Sequence, residues 1–263
     1  MLSYEINTNY HDIEEIIPDI HDIFENNGST IYKIRNEIKV IEIKGHSLCI
    51  KKFAQPNLIN KVAYAYFRKA KAKRSYYNAL KLSKIGVLTP EPICWIEFRN
   101  KAGFITGSYY ISSYQKHDFT LAKVFNNNLP DKEQIIKDFA YYACNILHKK
   151  GVKHLDLGQG NVLVTKKEKG YYFYLVDINR IRFNDEKIKR NGFSNLKRLG
   201  GSPIEMSILA HYYAKARKSD PTWGIIKLNL YKLRYHNIRT LRKRLTAPIK
   251  NLYLTLNNYS HTN

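Results

Sequence analysis

Apolar residues recur with two different periods along this chain, and the change of period divides it. Residues 1–27 read as a short helical extension. Three runs then alternate in the manner of strands: Ser29–Tyr32, Glu37–Ile43 and Ser47–Phe53, with Gly45-His46 as a hairpin turn between the last two. A long helical stretch follows over Leu58–Lys84, with one possible break near Ala72. Gly86 ends it, and Thr89-Pro90-Glu91-Pro92 prevents its continuation. Two further strands are expected at Ile93–Phe98 and Ser108–Tyr114, with Asn100–Gly103 as their turn.

Beyond Tyr114–Thr120 the helical period takes over. Pro130-Asp131 opens a helix with Asp131 as a cap, and Ile135, Ile136, Phe139, Ala143, Ile146 and Leu147 share one face. A loop and a hairpin follow, Asn161–Thr165 and Tyr171–Val176 around the turn Lys166–Gly170; the remainder is mostly helical, including a helix pair over residues 222–250. The expected architecture is α+β. An antiparallel sheet with one long helix (28–116) precedes a mainly helical half (117–263). No internal repeat is present.

Charge adds a second pattern. The formal net charge is +22, unevenly distributed. The first 26 residues are rich in acids, yet Lys44 to Pro90 contains no Asp or Glu, and none follows Asp220. Two acid-free basic segments imply an anionic partner: a membrane surface, an acidic glycolipid or nucleic acid. The chain's start, MLSYEINTNYHDIEEIIPDI, lacks the apolar core of a signal peptide, and no apolar run is long enough to span a bilayer. The expectation is a cytosolic protein able to lie on a membrane. Cys49, Cys94 and Cys144 sit among apolar residues without metal-ligand spacing and read as small buried hydrophobes.

The chemistry concentrates in His154-Leu155-Asp156-Leu157-Gly158-Gln159-Gly160-Asn161, with Asp177 downstream. The segment matches the H-x-D-L-x-x-x-N catalytic loop of kinases. In that role Asp156 accepts the proton of an attacking hydroxyl, and Asn161 and Asp177 ligate Mg²⁺. His154 braces the loop. A helix leads into the loop, and a hairpin ending at Asp177 brings both metal ligands to one place. Upstream, Leu48-Cys49-Ile50-Lys51 has the V-A-I-K shape, which makes Lys51 the candidate for the ATP phosphates; Lys52 points to the opposite sheet face, toward solvent. No G-x-G-x-x-G loop is present. The turn Lys33-Ile34-Arg35-Asn36 stands in its place, with Arg35, Asn36 and backbone N–H groups as phosphate contacts. The long helix offers no carboxylate for Lys51, since Ser75 stands roughly where one is expected; Lys51 is left to lean on Asp177 or the nucleotide.

The chain resembles the lipopolysaccharide kinases, the Kdo/heptose kinase family of Gram-negative bacteria, in the form seen in Bacteroidetes. The resemblance runs from about Asn36 to Asp220. It rests on Ile50-Lys51-Lys52-Phe53, Lys69–Tyr76, Gly86-Val87-Leu88-Thr89-Pro90-Glu91-Pro92-Ile93, His154–Leu163 and Val176-Asp177-Ile178-Asn179-Arg180. It implies a protein-kinase-like two-lobe fold, ATP and Mg²⁺ as cofactors, and Lys51, Asp156, Asn161 and Asp177 as functional residues. It further implies a sugar hydroxyl of the lipopolysaccharide core as acceptor, and hence a protein on the inner face of the inner membrane. A monomer is expected, with nucleic acid an improbable partner. Asp177 is followed by Ile-Asn-Arg and not Phe-Gly, so a Phe-controlled inactive flip is not expected.

Overall fold

The computed structural model describes residues 1–55 and 70–259. The first lobe is a six-stranded antiparallel sheet in the order β1-β5-β6-β4-β3-β2. Its strands are β1 (Leu2–Ile6), β2 (Ser29–Lys33), β3 (Glu37–Ile43), β4 (His46–Lys52), β5 (Pro92–Arg99) and β6 (Ile105–Ser113). Residues 1–27 differ from the expected helical extension. Leu2–Ile6 pairs with β5 at the sheet edge, Thr8–Ile16 forms a 3₁₀ segment, and α1 is Ile20–Asn26. Ile13, Ile17, Ile20 and Phe24 cover one face of the sheet, against Ile41, Leu48, Ile50 and Tyr109. The buried Lys39 secures this cover. Its ammonium donates to the carbonyls of Phe24 (2.6 Å) and Glu25 (3.1 Å), where the C-terminus of α1 favours a cation.

The β3–β4 turn is Lys44-Gly45, one residue earlier than expected. Both have positive φ (49° and 79°), and Ile43 pairs directly with His46. This two-residue turn matches the twist of the flanking strands. Helix α2 is Lys71–Lys84; the expected stretch before it falls outside the described residues. Ala72, Tyr76, Ala79 and Leu82 bury one face of α2 at helical spacing, and the left-handed Gly86 (φ 69°) follows its end.

The second lobe holds β7 (Phe119–Thr120), α3 (Leu121–Asn126), α4 (Lys132–Tyr142), β8 (Lys153–His154), β9 (Val162–Lys167), β10 (Gly170–Leu175), β11 (Ile181–Arg182), α5 (Glu186–Arg190), α6 (Phe193–Leu196), α7 (Pro203–Ala216) and α8 (Pro221–Tyr259). Asp131 does not cap α4 through its side chain, which instead accepts from Lys166 (2.9 Å) and Tyr171 (2.7 Å) on the hairpin. After α4 the chain passes into a π-helical turn, Ala143–His148, that leads toward β8. Ser202 and Glu205 form a reciprocal capping box at the start of α7. The expected helix pair near the C-terminus is one continuous helix, α8. Leu228 is buried at its base, while Leu230, Leu233, Leu241 and Leu245 are exposed. Among the described residues no helix is long and apolar enough to cross a membrane.

Candidate active site

The core beneath α2 is continuous with that of the helical lobe, and the two lobes meet over a cleft of about 600 Å³. Lys51, Asn36, Asn161 and Asp177 line it together with apolar Ile38, Cys49, Tyr110, Leu163 and Val176 and the connecting segment Ser113–Gln115. The apolar walls come from β3, β4, β6 and β9 and from Val176, and on β4 the alternate positions Cys49 and Lys51 share the cleft face. Such a slot suits a flat ring system, and the charged residues mark its polar end.

Lys51 lies on β4, opposite Ile38 of β3 and Tyr110 of β6. Its ammonium donates to Asp177 Oδ1 at 2.5 Å. Asp177 is therefore the counter-ion that α2 does not supply. At the equivalent place on α2, Ser75 bonds back to the Lys71 carbonyl (2.9 Å). Lys52 faces the other side, as register dictates, but not open water: it pairs with Glu25 and stands 5.6 Å from the Phe24 ring centroid.

The loop His154–Asn161 is held by its own backbone. Gly158 N–H donates to the Asp156 carbonyl (2.7 Å), and Asn161 N–H donates to the Gly158 carbonyl (2.9 Å). Asn161 Nδ2 also donates to the Asp156 carbonyl (2.8 Å), which leaves its Oδ1 as the side chain's remaining acceptor. The buried His154 spans the loop. Its Nε2 donates to the Val176 carbonyl (3.1 Å), and its Nδ1 accepts from Asp156 N–H (3.2 Å). Burial, the largest influence, holds the His154 imidazole below the usual range, so it stays neutral, as this bonding requires. The bonds of His154 thus tie Asp156 to the end of the hairpin.

Behind it lies a chain of polar groups that no sequence motif announces. Tyr213 hydroxyl meets His148 Nδ1 (2.6 Å), His148 Nε2 meets Asn195 Oδ1 (3.3 Å), and Asn195 Nδ2 donates to the His154 carbonyl (2.7 Å). These buried groups tie α7, the π-helical turn and α6 to the loop. Only their mutual satisfaction makes them tolerable in the core.

Asp177 adopts a left-handed conformation (φ 54°, ψ 42°) directly after β10. Its Oδ1 takes Lys51 and Asn179 Nδ2 (2.8 Å); among the described residues Oδ2 accepts no hydrogen bond. Burial is the largest single influence and raises its pKa. The charge and hydrogen bond of Lys51, with His154 and Asn179, outweigh it, and the carboxyl sits below its usual value. An ionised carboxylate with a spare oxygen and an amide oxygen on the same cleft fit a hard divalent cation that completes its shell with water and phosphate. α2 is coupled to this corner: Asn78 Nδ2 donates to the Ile178 carbonyl (2.8 Å).

Sequence reasoning missed Lys71 at the start of α2. Burial first, then the positive charges of Arg35, Lys51 and Arg74, hold its pKa below the usual lysine range. Lys71 thus feels the positive charges of Arg35, Arg74 and the cleft-lining Lys51, a field that favours a polyphosphate. Arg35 belongs to this cluster, although it does not line the cleft. Asn36 does line it, and its Oδ1 accepts from Ala54 N–H (3.2 Å).

Asp156 holds two guanidinium groups that the sequence did not single out for it. Arg180 Nη1 donates to Oδ2 (2.8 Å), and Arg198 Nη1 stands 2.6 Å from Oδ1 as an ion pair. Arg180 arrives there because β11 pairs with β8 and Leu155 N–H donates to the Arg180 carbonyl (2.9 Å).

No family model and no curated protein matches the chain. Among solved structures, WaaP in complex with acyl carrier protein aligns with a TM-score of 0.56 at 12% identity, over 88% of this chain and 98% of that chain. The Rio2 kinase-ADP/Mg²⁺-phosphoaspartate complex from Chaetomium thermophilum aligns with a TM-score of 0.46 at 14% identity, over 97% of this chain and 82% of that chain. At such identities the likeness is one of architecture, and the chain has an α+β two-lobe kinase fold.

Proposed function

We propose that the protein is an ATP-dependent kinase that phosphorylates a sugar hydroxyl, Kdo or heptose, of the lipopolysaccharide inner core. One observation carries the kinase reading: Lys51, Asp177 and Asn161 meet on one cleft, with Asp156 fixed in the same loop as Asn161. Lys51, Lys71 and Arg35 would neutralise the phosphates. Asn161 and Asp177 would hold Mg²⁺, which when bound supplies further neutralisation of the transferring group. Asp156 orients the acceptor hydroxyl and takes its proton as the oxygen attacks the γ-phosphorus; the bond to the ADP oxygen breaks, and ADP leaves. The chain's contribution is position and charge, because phosphoryl transfer needs little covalent help.

The acceptor class draws on the residues quoted above for the lipopolysaccharide-kinase resemblance and on the charge of +22. The glycolipid carries phosphates and carboxylates and lies at an anionic leaflet, where each nearby Lys or Arg contributes about 1 kcal/mol. Helix α8 suits that surface. Its exposed Trp223, Ile226, Leu230, Leu233, Leu241 and Leu245 fall within one stripe at helical spacing, and Arg234 and Arg244 lie within or beside it. The test is mass spectrometry of the lipid A–core from a strain lacking the gene, alongside transfer assays with Mg²⁺-ATP. Loss of one phosphate localised to a core sugar is expected. Unchanged core phosphorylation overturns the lipopolysaccharide assignment, and absence of metal-dependent ATP binding overturns the kinase reading.

A further inference from the structure

The two arginines on Asp156 do more than the reaction requires of a base. A carboxylate that is to receive a proton needs one oxygen within hydrogen-bond reach of the hydroxyl. Here each oxygen already faces a guanidinium: Oδ2 accepts from Arg180, and Oδ1 is ion-paired with Arg198. Two positive charges on one negative charge leave an excess of one at the place where the acceptor must stand.

Neither guanidinium is used up by Asp156. Arg180 is 53% exposed, and Arg198 is 37% exposed. Each carries five N–H donors in a planar fork that matches a carboxylate or a phosphate. Arg198 is also fixed from behind: its Nη1 donates to the Leu155 carbonyl (3.3 Å), and its guanidinium lies 5.7 Å from the Tyr235 ring centroid on α8. Lys197 approaches the same ring (5.9 Å), so positive charge continues along this side of the loop. The cleft has its own cation in Lys51, and these arginines are not among the cleft's lining residues.

Resting on the kinase reading above, we propose that Arg180 and Arg198 form an acceptor subsite for an anionic group, a carboxylate or a phosphate, carried on the sugar close to the hydroxyl that is phosphorylated. In the absence of acceptor they hold Asp156 in a closed ion-pair triad. The arriving anion takes over guanidinium N–H donors, and the hydroxyl takes the place released at Asp156. An uncharged sugar offers no such exchange and must compete with the arginines for the carboxylate. Specificity for an acidic acceptor is then built into the approach to the base.

The experiment compares three soluble acceptors: a Kdo glycoside with a free carboxylate, its methyl ester, and a phosphorylated heptose. Their binding is measured by calorimetry without nucleotide, and their transfer kinetics with Mg²⁺-ATP. The proteins are wild type, R180Q, R198Q and the charge-conserving R180K and R198K, each checked by thermal melting. Wild type is expected to bind one or both anionic sugars about ten- to a hundredfold more tightly than the ester, the range of a charged hydrogen bond. R198Q and R180Q should raise the acceptor KM by a similar factor and close the gap to the ester. The KM for ATP should stay unchanged, and the Lys variants should recover part of the difference. A preference for the free acid identifies a carboxylate subsite, and a preference for the phosphorylated heptose identifies a phosphate subsite. Equal use of acid and ester, with no preference for the phosphorylated sugar, overturns the inference, as does an acid-to-ester ratio that survives in both Gln variants or no binding of either anionic sugar. Anion binding that depends on these arginines without any phosphoryl transfer overturns the kinase reading and leaves the subsite standing.

Discussion

At the scale of single residues, Asp156 and Lys51 make the sharpest expectations. Asp156→Asn keeps the shape of the loop, because the loop's internal bonds use the Asp156 carbonyl and not its carboxylate. Turnover is expected to fall about 10²-fold or more, the usual contribution of a general base, with Mg²⁺-ATP affinity nearly unchanged. Retention of a tenth of wild-type turnover, roughly, would remove Asp156 from that role. Lys51→Ala takes the partner from a half-buried carboxylate, and the KM for ATP is expected to rise about ten- to a hundredfold. Lys52→Ala removes only a partly exposed pair with Glu25 and should cost at most about 1 kcal/mol of stability, with the KM for ATP unmoved. A reversed ranking of the two lysines in steady-state kinetics would contradict the strand register. These residues were legible because each sits in a local pattern, a loop motif or an alternating strand. Arg198, Lys71, His148 and Asn195 were not. Each acts through a neighbour distant in sequence, and nothing near it in the chain marks the role.

At the scale of elements, α8 separates into a buried base and an exposed continuation. Ile225, Leu228 and Tyr231 pack on the second lobe, whereas Leu233, Arg234, Ile238, Arg239 and Leu241 are exposed. Replacing Arg234, Arg239 and Arg244 by Ser should leave the melting temperature within a degree or so, since surface changes rarely exceed about 0.5 kcal/mol. It should weaken sedimentation with anionic vesicles, more at low salt than at high salt, because exposed charges are screened over about 10 Å at 0.1 M. Replacing Leu230, Leu233 and Leu241 by Ser should weaken it at both salt concentrations. Unaltered vesicle binding in both variants would leave α8 a solvated face. A second element-level expectation concerns α6. A Cβ on Gly192 would fall 2.0 Å from His148 Nδ1 and 2.0 Å from the Tyr213 hydroxyl. Gly192→Ala therefore has to push apart the polar chain that supports the loop His154–Asn161. Overpacking of this kind costs about 1–3 kcal/mol, and a lower denaturation midpoint with reduced turnover is the expected result.

At the scale of the whole molecule, buried histidines link stability to pH. Burial drives His148 down from 6.5 to about 3, and the same cause lowers His154. The unfolded chain binds protons at these positions below about 6.5, while the folded chain does not. Stability is thus fully present above that value and declines as pH falls toward about 3 for His148, by up to about 1.4 kcal/mol per pH unit for each proton. Urea unfolding between pH 7 and 5 should show this loss, and His148→Gln, which can still bond Tyr213 and Asn195, should flatten it. A wild-type stability independent of pH in that window would mean that His148 takes up its proton in the folded chain as readily as in the unfolded one.

The sequence alone determined the strands from Ser29 to Tyr114, the Asn161–Val176 hairpin and the stop at Gly86, and it marked the loop that could carry the chemistry. Alternation, glycine and proline stops and the His154–Asn161 motif act over a few residues, where local sterics and hydrogen bonding dominate. It also determined which side of β4 carries Lys51, since side-chain direction in a strand follows from parity. Only the tertiary structure decided what those groups meet. The antiparallel pairing of β8 with β11 set Arg180 on Asp156. The closure of two lobes over one cleft set Asp177 on Lys51, and the packing of α6 and α7 set Asn195 and Tyr213 behind the loop His154–Asn161. The edge strand Leu2–Ile6 and the unbroken α8 were missed for the same reason. A short run such as Leu-Ser-Tyr-Glu-Ile becomes a strand when β5 offers its hydrogen bonds, and no property of those five residues by themselves supplies that partner.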